Sequence, residues 1–254
     1  MNRVVACLLL ALVSALRGNP PAGENWKPLL EFTDEFDGSA LDLKKWQKGN
    51  PQWQGRQPGL FADQNVAVKG GRLLLTMRAE NLPKMPEGYR DFTCASVASL
   101  NRVRYGWFEV RAKAMKSAGA SAFWFYHNTP ERWTEIDVYE ICGRGKESGR
   151  MHTSAHVMHA PGITKAFQKP EPIVLAQDPA AAFHVYALEW NARQIKWHCD
   201  GKLVRVLENT HWTQPLHLLL DTETMPGWFG LPEKSELPAT HEIDYVRAWQ
   251  PRPE

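Results

Sequence analysis

Trp133-Thr134-Glu135-Ile136-Asp137-Val138-Tyr139-Glu140 places three carboxylates within six residues and threads apolar side chains between them. Successive side chains of a strand point to opposite faces. Glu135 and Asp137 therefore share one face, and Ile136 and Val138 point away from it into whatever layer covers the strand. Glu140 is out of phase with the other two acids. One bulge between Asp137 and Glu140 would bring all three carboxylates onto a single surface. A strand that is acidic on one side and apolar on the other belongs to a sheet packed against a second sheet.

Working outward, the chain continues as short strand-like runs separated by Gly, Pro, Asn and Asp: 72–78, 106–114, 121–126, 135–141, 151–158, 183–190, 194–199, 202–207, 215–222 and 241–249. In 106–114, Trp107, Glu109 and Arg111 alternate with Phe108, Val110 and Ala112. Asp200-Gly201 between two such runs is a hairpin turn. Helical periodicity is scarce, and 177–183 is the one short helix predicted. This pattern predicts an all-β fold: a two-sheet antiparallel β-sandwich of the jelly-roll, concanavalin-like kind with an open substrate cleft, formed by residues 26–252 as one domain.

The N-terminus reads as a signal peptide over 1–15. Arg3 precedes an apolar run, 4–13, too short to span a bilayer, and Val13-Ser14-Ala15 is a small-residue cleavage site. Pro20, Pro21 and Gly23 mark 16–25 as a linker. The expected location is secreted or periplasmic, with no membrane span. Removal of Cys7 with the leader leaves Cys94, Cys142 and Cys199, an odd number that reads as buried free thiols. A formal charge of +2 over 254 residues gives no reason to expect nucleic acid as a partner. Eleven Trp against ten Phe and six Tyr is an unusual balance, and flat indoles stack well on sugar rings.

Paired carboxylates on one strand face suit glycoside hydrolysis. Positions i and i+4 of a regular strand lie about 13 Å apart at Cα. Side chains leaning together can close this to the roughly 5 Å carboxyl separation of a retaining enzyme. Glu135 is the candidate nucleophile, Glu140 the general acid/base, and Asp137 the assisting residue that discourages ionisation of its neighbours. A solvated acidic strand face, or a calcium site, is the plain alternative for such a spacing. Glu242-Ile243-Asp244 opens with the same tripeptide but runs on as Tyr245-Val246-Arg247 without a third acid, and reads as structural.

With Glu135 to Glu140 spelling E-I-D-V-Y-E, the chain resembles glycoside hydrolase family 16 in its bulged form. Phe32-Thr33-Asp34-Glu35-Phe36-Asp37-Gly38, Gly106-Trp107-Phe108-Glu109-Val110-Arg111 and Ile243-Asp244-Tyr245-Val246-Arg247-Ala248-Trp249 extend the resemblance over most of the chain. It implies a β-jelly-roll that hydrolyses β-linkages with retention. Ser121-Ala122-Phe123-Trp124-Phe125-Tyr126 and Asp221-Thr222-Glu223-Thr224 look more like the members that cut red-algal galactans: agarases, porphyranases and kappa-carrageenases. The Trp-Pro of laminarin-cleaving members is missing before Glu135.

Around the acids, Trp124 and Trp133 are the leading candidates to stack on sugar, with Trp53, Trp107 and Trp228 behind them. His152 and His156 share a strand face and could meet hydroxyls; His159, which would complete a zinc trio, falls on the other face. Glu223 is a candidate sugar contact. Arg132, Arg144, Lys146 and Arg150 cluster by sequence and could face a sulfated sugar. The resemblance also implies a structural calcium near Asp244 and the Gly71 carbonyl, with no cofactor for catalysis. The expected partner is a polysaccharide cut by endo action, and the expected state is a monomer. The competing readings are a β-1,3-glucanase of the same fold and a lectin-like sandwich that binds sugar without cutting it.

Overall fold

The computed structural model describes residue 20 and residues 25–251. The predicted leader, 1–15, and nearly all of 16–25 lie outside the described residues. Two large antiparallel sheets dominate the structure, beside a short parallel pair, Gly59–Phe61 with Phe92–Cys94. One runs, edge to edge, through Lys202–Glu208, Gln194–Cys199, His184–Trp190, Gly106–Lys113, Ala239–Pro251, Leu73–Met77 and Val66–Val68. The other runs through Phe167–Gln168, Arg150–His159, Trp133–Ile141, Ala120–Asn128, His217–Glu223, Ser96–Ser99 and Trp46–Lys48. Their facing sides share one apolar core, in which Phe108, Val110, Leu188 and Val246 of the first sheet meet Phe125, Ile136, Val138 and Leu220 of the second. This is the jelly-roll sandwich that the alternation predicts.

The periodicity works strand by strand. Phe123 and Phe125 point into the core, while Trp124 and Tyr126 emerge on the far face of the second sheet, in a separate apolar cluster with Trp53 and Trp133. Asp200 and Gly201 both adopt positive φ, 49° and 76°, as a tight hairpin between Gln194–Cys199 and Lys202–Glu208 requires. The helix predicted over 177–183 is absent. Asp178 caps a single turn through its side chain to the Ala180 N–H and its carbonyl to the Ala181 N–H, and the turn is too short to sustain a helix. The segment 161–178 instead adds two short edge strands, Phe167–Gln168 and Glu171–Val174. Cys94, Cys142 and Cys199 are buried free thiols. Among the described residues no helix is long and apolar enough to cross a membrane.

The bulge is present where the sequence calls for it. Asp137 pairs with Ser154, and the next pair is Glu140 with His152, so three steps on one strand match two on its neighbour. Val138 and Tyr139 consequently both turn inward, each almost wholly buried, and Glu140 returns to the face of Glu135 and Asp137. Two buried indoles hold the backbone from beneath. Trp197 Nε1 donates to the Asp137 carbonyl at 2.9 Å, and Trp212 Nε1 lies 2.9 Å from the Glu135 carbonyl and 3.0 Å from that of His156. Leaving a buried carbonyl unpaired costs about 1–3 kcal/mol. Trp197→Phe should therefore lower the unfolding free energy by at least about that amount in urea titrations. It should also lower turnover at temperatures where the variant is folded. Wild-type stability and turnover in the variant would show that the indole does not hold the bulge.

Candidate active site

The outer face of the second sheet forms a cleft of about 340 Å³. Glu135, Asp137 and Glu140 line it from the bulged strand, Trp124 and Tyr126 from the next strand, and Glu223 from the strand beyond. Trp133 stands at the start of the bulged strand, its ring edge-on to Tyr126 at 5.9 Å. Trp53 and Arg56 reach in from a loop. Trp124, Trp133, Trp53 and Glu223 are thus brought together with the three acids, as the sequence predicts. Trp124 is largely buried and donates its indole N–H to Asp221 Oδ2 at 2.8 Å, so it forms the cleft floor.

Crowding sets the proton affinities. Burial and the Asp137 charge push Glu135 up to about 8, against the opposing pull of His156 and, more weakly, Arg56. Burial drives Glu140 well above the usual carboxylate range, reinforced by Asp137, Glu223 and Glu135; of the cations only Arg56 opposes it. Glu223 rises to about 7 through burial, held back by the Arg56 guanidinium, whose Nε lies 3.1 Å from Glu223 Oε2. His156 resists charging through burial. The Asp137 carboxylate 2.9 Å away and Glu135 at 3.8 Å outweigh this and lift it to about 9. At neutral pH His156 is accordingly a cation held against Asp137, rather than a free donor to sugar hydroxyls.

A second pocket of about 450 Å³ adjoins the first across Glu140. His152 and His156 line it, as does Trp228, whose ring is 4.7 Å from that of His152. Several predicted residues lie elsewhere. Arg144 turns to Glu236 at 3.6 Å, because Gly143 is held back by its N–H bond to the Ser117 carbonyl. Arg132 donates to the His211 carbonyl and Thr213 Oγ1, Arg150 pairs with Glu147 at 2.7 Å, and Lys146 lines neither pocket. Trp107 is buried against Glu109 on the first sheet, away from the cleft. His159 bonds the Thr129 carbonyl through Nε2, so no histidine trio forms.

The Asp244 side chain expected at a calcium has a protein partner. Asp244 is ion-paired with Arg111 at 2.7 Å. Gly71, at φ 69°, serves the turn before Leu73–Met77.

Sequence reading missed Arg56, Gln52, Tyr126 and Asn128. The first two sit on an irregular loop, where no periodicity marks a face. Gly55 is the one signal: at φ 107° it adopts a backbone that side chains disfavour, and a Cβ there would lie 2.7 Å from the Gly59 carbonyl. That turn is what lets Trp53 and Arg56, on either side of it, face the same cleft.

The protein-family description "Beta-porphyranase A-D, GH16 domain" matches residues 26–251. Beta-porphyranase D of Zobellia galactanivorans is 30% identical over 91% of the chain, which spans 62% of that relative's length. Glucan endo-1,3-beta-glucosidase A1 of Niallia circulans is 26% identical over 87% of this chain and 38% of its own. The crystal structure of porphyranase B from Zobellia galactanivorans superposes with a TM-score of 0.79 at 26% identity, covering 91% of this chain and 96% of that one. The bulged acidic strand and a family match spanning nearly all of the described residues lead to one conclusion: this chain is a glycoside hydrolase and belongs to family 16, in its beta-porphyranase A-D group.

Proposed function

We propose that the protein is an endo-acting, retaining hydrolase of a red-algal galactan, with porphyran, the sulfated one its relatives are named for, as the preferred polymer. Glu135 is the nucleophile, Glu140 the general acid/base and Asp137 the assisting residue. The observation that carries this is the unequal setting of two glutamates on one bulged strand. Glu135 has a cation, His156, 3.8 Å away. Glu140 has none so near, and the carboxylates around it hold its proton in place. The easier ionisation of Glu135 suits it to attack the anomeric carbon while Glu140 protonates the departing oxygen. Water, deprotonated by Glu140, then releases the sugar from the covalent intermediate with its configuration retained.

Arg56 supports a sulfated substrate. Its Nε meets Glu223, and among the described residues no other acceptor lies within hydrogen-bond distance of its half-exposed guanidinium. That leaves a fork of N–H groups at the cleft for an oxyanion. The test is a panel of porphyran, agarose, carrageenan and laminarin scored for new reducing ends. Fastest release from porphyran is expected; preference for laminarin would favour a glucanase, and binding without product from any polymer would favour a lectin.

Glu135→Gln should abolish release while leaving the fold intact, and Glu140→Gln should cost about 10²–10⁴-fold. Wild-type rates in either variant would overturn these roles. The His156 cation lowers the Glu135 pKa, so its removal raises that pKa. The acid limb of kcat/KM should then move to higher pH in His156→Asn, by about 1–3 units. An unmoved acid limb would show that His156 does not tune the nucleophile.

A further inference from the structure

The bulge has a second anchor, on the far side of its extra residue. Along the neighbouring strand Ala120–Asn128, Asp137 pairs with Trp124 and Tyr139 with Phe123, so Val138 is the residue left over. Trp197 fixes the backbone before it, at the Asp137 carbonyl. Tyr139 is where regular pairing resumes, and Glu140 follows directly, opposite Ala122. The Tyr139 side chain enters the core, away from the cleft, and its hydroxyl meets His241 Nε2 at 2.8 Å.

His241 belongs to Ala239–Pro251, the closing strand of the opposite sheet, and is wholly buried. Its Nδ1 lies 3.1 Å from the Asp221 carbonyl. A carbonyl only accepts, so Nδ1 carries a proton. Burial pushes the ring's pKa down to about 4, so at neutral pH Nε2 has none to give. The Tyr139 hydroxyl is therefore the donor, and both bonds have a fixed direction: Tyr139 to His241, His241 to Asp221. Through them the bulged strand is tied to His217–Glu223, which brings Glu223 to the cleft and holds the Trp124 floor through the Asp221 carboxyl. Neither Tyr139 nor His241 lines either pocket.

We propose that Tyr139 and His241 are positioning residues for Glu140: from inside the core they set where its carboxyl stands, without touching substrate. This rests on the acid/base role proposed above for Glu140. Release of Tyr139 would shift the next residue, and a displaced acid fails selectively. A departing sugar oxygen needs a proton from Glu140. A dinitrophenolate is stable enough to leave without one.

The experiment compares kcat/KM on two substrates that share the sugars ahead of the broken bond: a galactan oligosaccharide, and the dinitrophenyl β-glycoside of the fragment released from it. Because kcat/KM ends with formation of the covalent intermediate, the later work of Glu140 as base does not enter. Tyr139→Phe keeps the ring and removes only the donor. It should lower kcat/KM on the oligosaccharide about tenfold and leave the dinitrophenyl glycoside within about twofold of wild type. His241→Asn, whose amide replaces Nδ1 alone, should show the same split. His241→Gln, which sets an acceptor near the Nε2 position, should recover severalfold over His241→Asn. Tyr139→Phe decides the matter where His241→Asn does not fold. Equal losses on both substrates in Tyr139→Phe, or no loss on either, would overturn this inference alone, provided that Glu140→Gln shows the split. Absence of the split in Glu140→Gln would instead overturn the acid/base role on which it rests.

Discussion

The Trp197 indole donates to the carbonyl of Asp137 from inside the core, and the geometry of the cleft depends on that bond. A strand bulge breaks the ladder and strands a backbone group, and a stranded group in a dry interior is costly unless something reaches it. Trp197 reaches it from the opposite sheet. Its ring is in turn covered by the Arg205 guanidinium at 4.4 Å, and Arg205 ties down the strand bearing Thr153 and the edge strand bearing Glu171. A single chain of contacts therefore runs from the core through the bulge to the wall of the second pocket. The extra residue that aligns the acids is sustained by packing around it rather than by the acidic strand alone.

The same bulge creates an electrostatic problem. Three carboxylates on one face, with Glu223 and buried Asp221 behind them, cannot all ionise at neutral pH in so little water. The protein answers with two cations placed unequally. His156 sits against Asp137 and Glu135, and Arg56 against Glu223. Glu140 receives neither directly. The division of labour proposed for the two glutamates would follow from which of them has a cation as a neighbour, and would need no difference in their own chemistry.

Most of the fold was legible because alternation is a local signal. Each apolar face in 106–114 or 133–141 states its own orientation, and even the bulge could be inferred, since Glu140 falls out of phase by one. The acids were legible for the same reason. What escaped were residues whose position depends on tertiary contacts. Arg56 lies in a loop whose course is set by Gly55 and by the Tyr89 hydroxyl on the Gly55 carbonyl. Arg144 was drawn to the cleft by sequence proximity to Glu140, yet Glu236, nearly a hundred residues away, claims it. The supposed helix at 177–183 is one capped turn, because even three successive alanines, good helix formers, cannot offset the cost of nucleating so short a helix without tertiary packing. Ion pairs between distant segments leave no trace in the spacing of either partner.

The division between what strands encode and what loops encode has a functional counterpart. Glu135, Asp137, Glu140, His152, His156 and Glu223 all stand on strands of one sheet, where backbone hydrogen bonds fix their separation. Trp53 and Arg56 precede the short strand Gly59–Phe61 on a loop, Trp228 lies on the turn after His217–Glu223, and Gln168 and Glu171 belong to the edge segment. The groups that would break a glycosidic bond are thus carried by the rigid sheet, and those that would distinguish one sugar, or one sulfate, from another are carried by its rim. Substitution at the rim can alter the polymer recognised without disturbing the bulge or the proton affinities beneath it. That is how one acidic strand can serve relatives named for porphyran and for β-1,3-glucan alike.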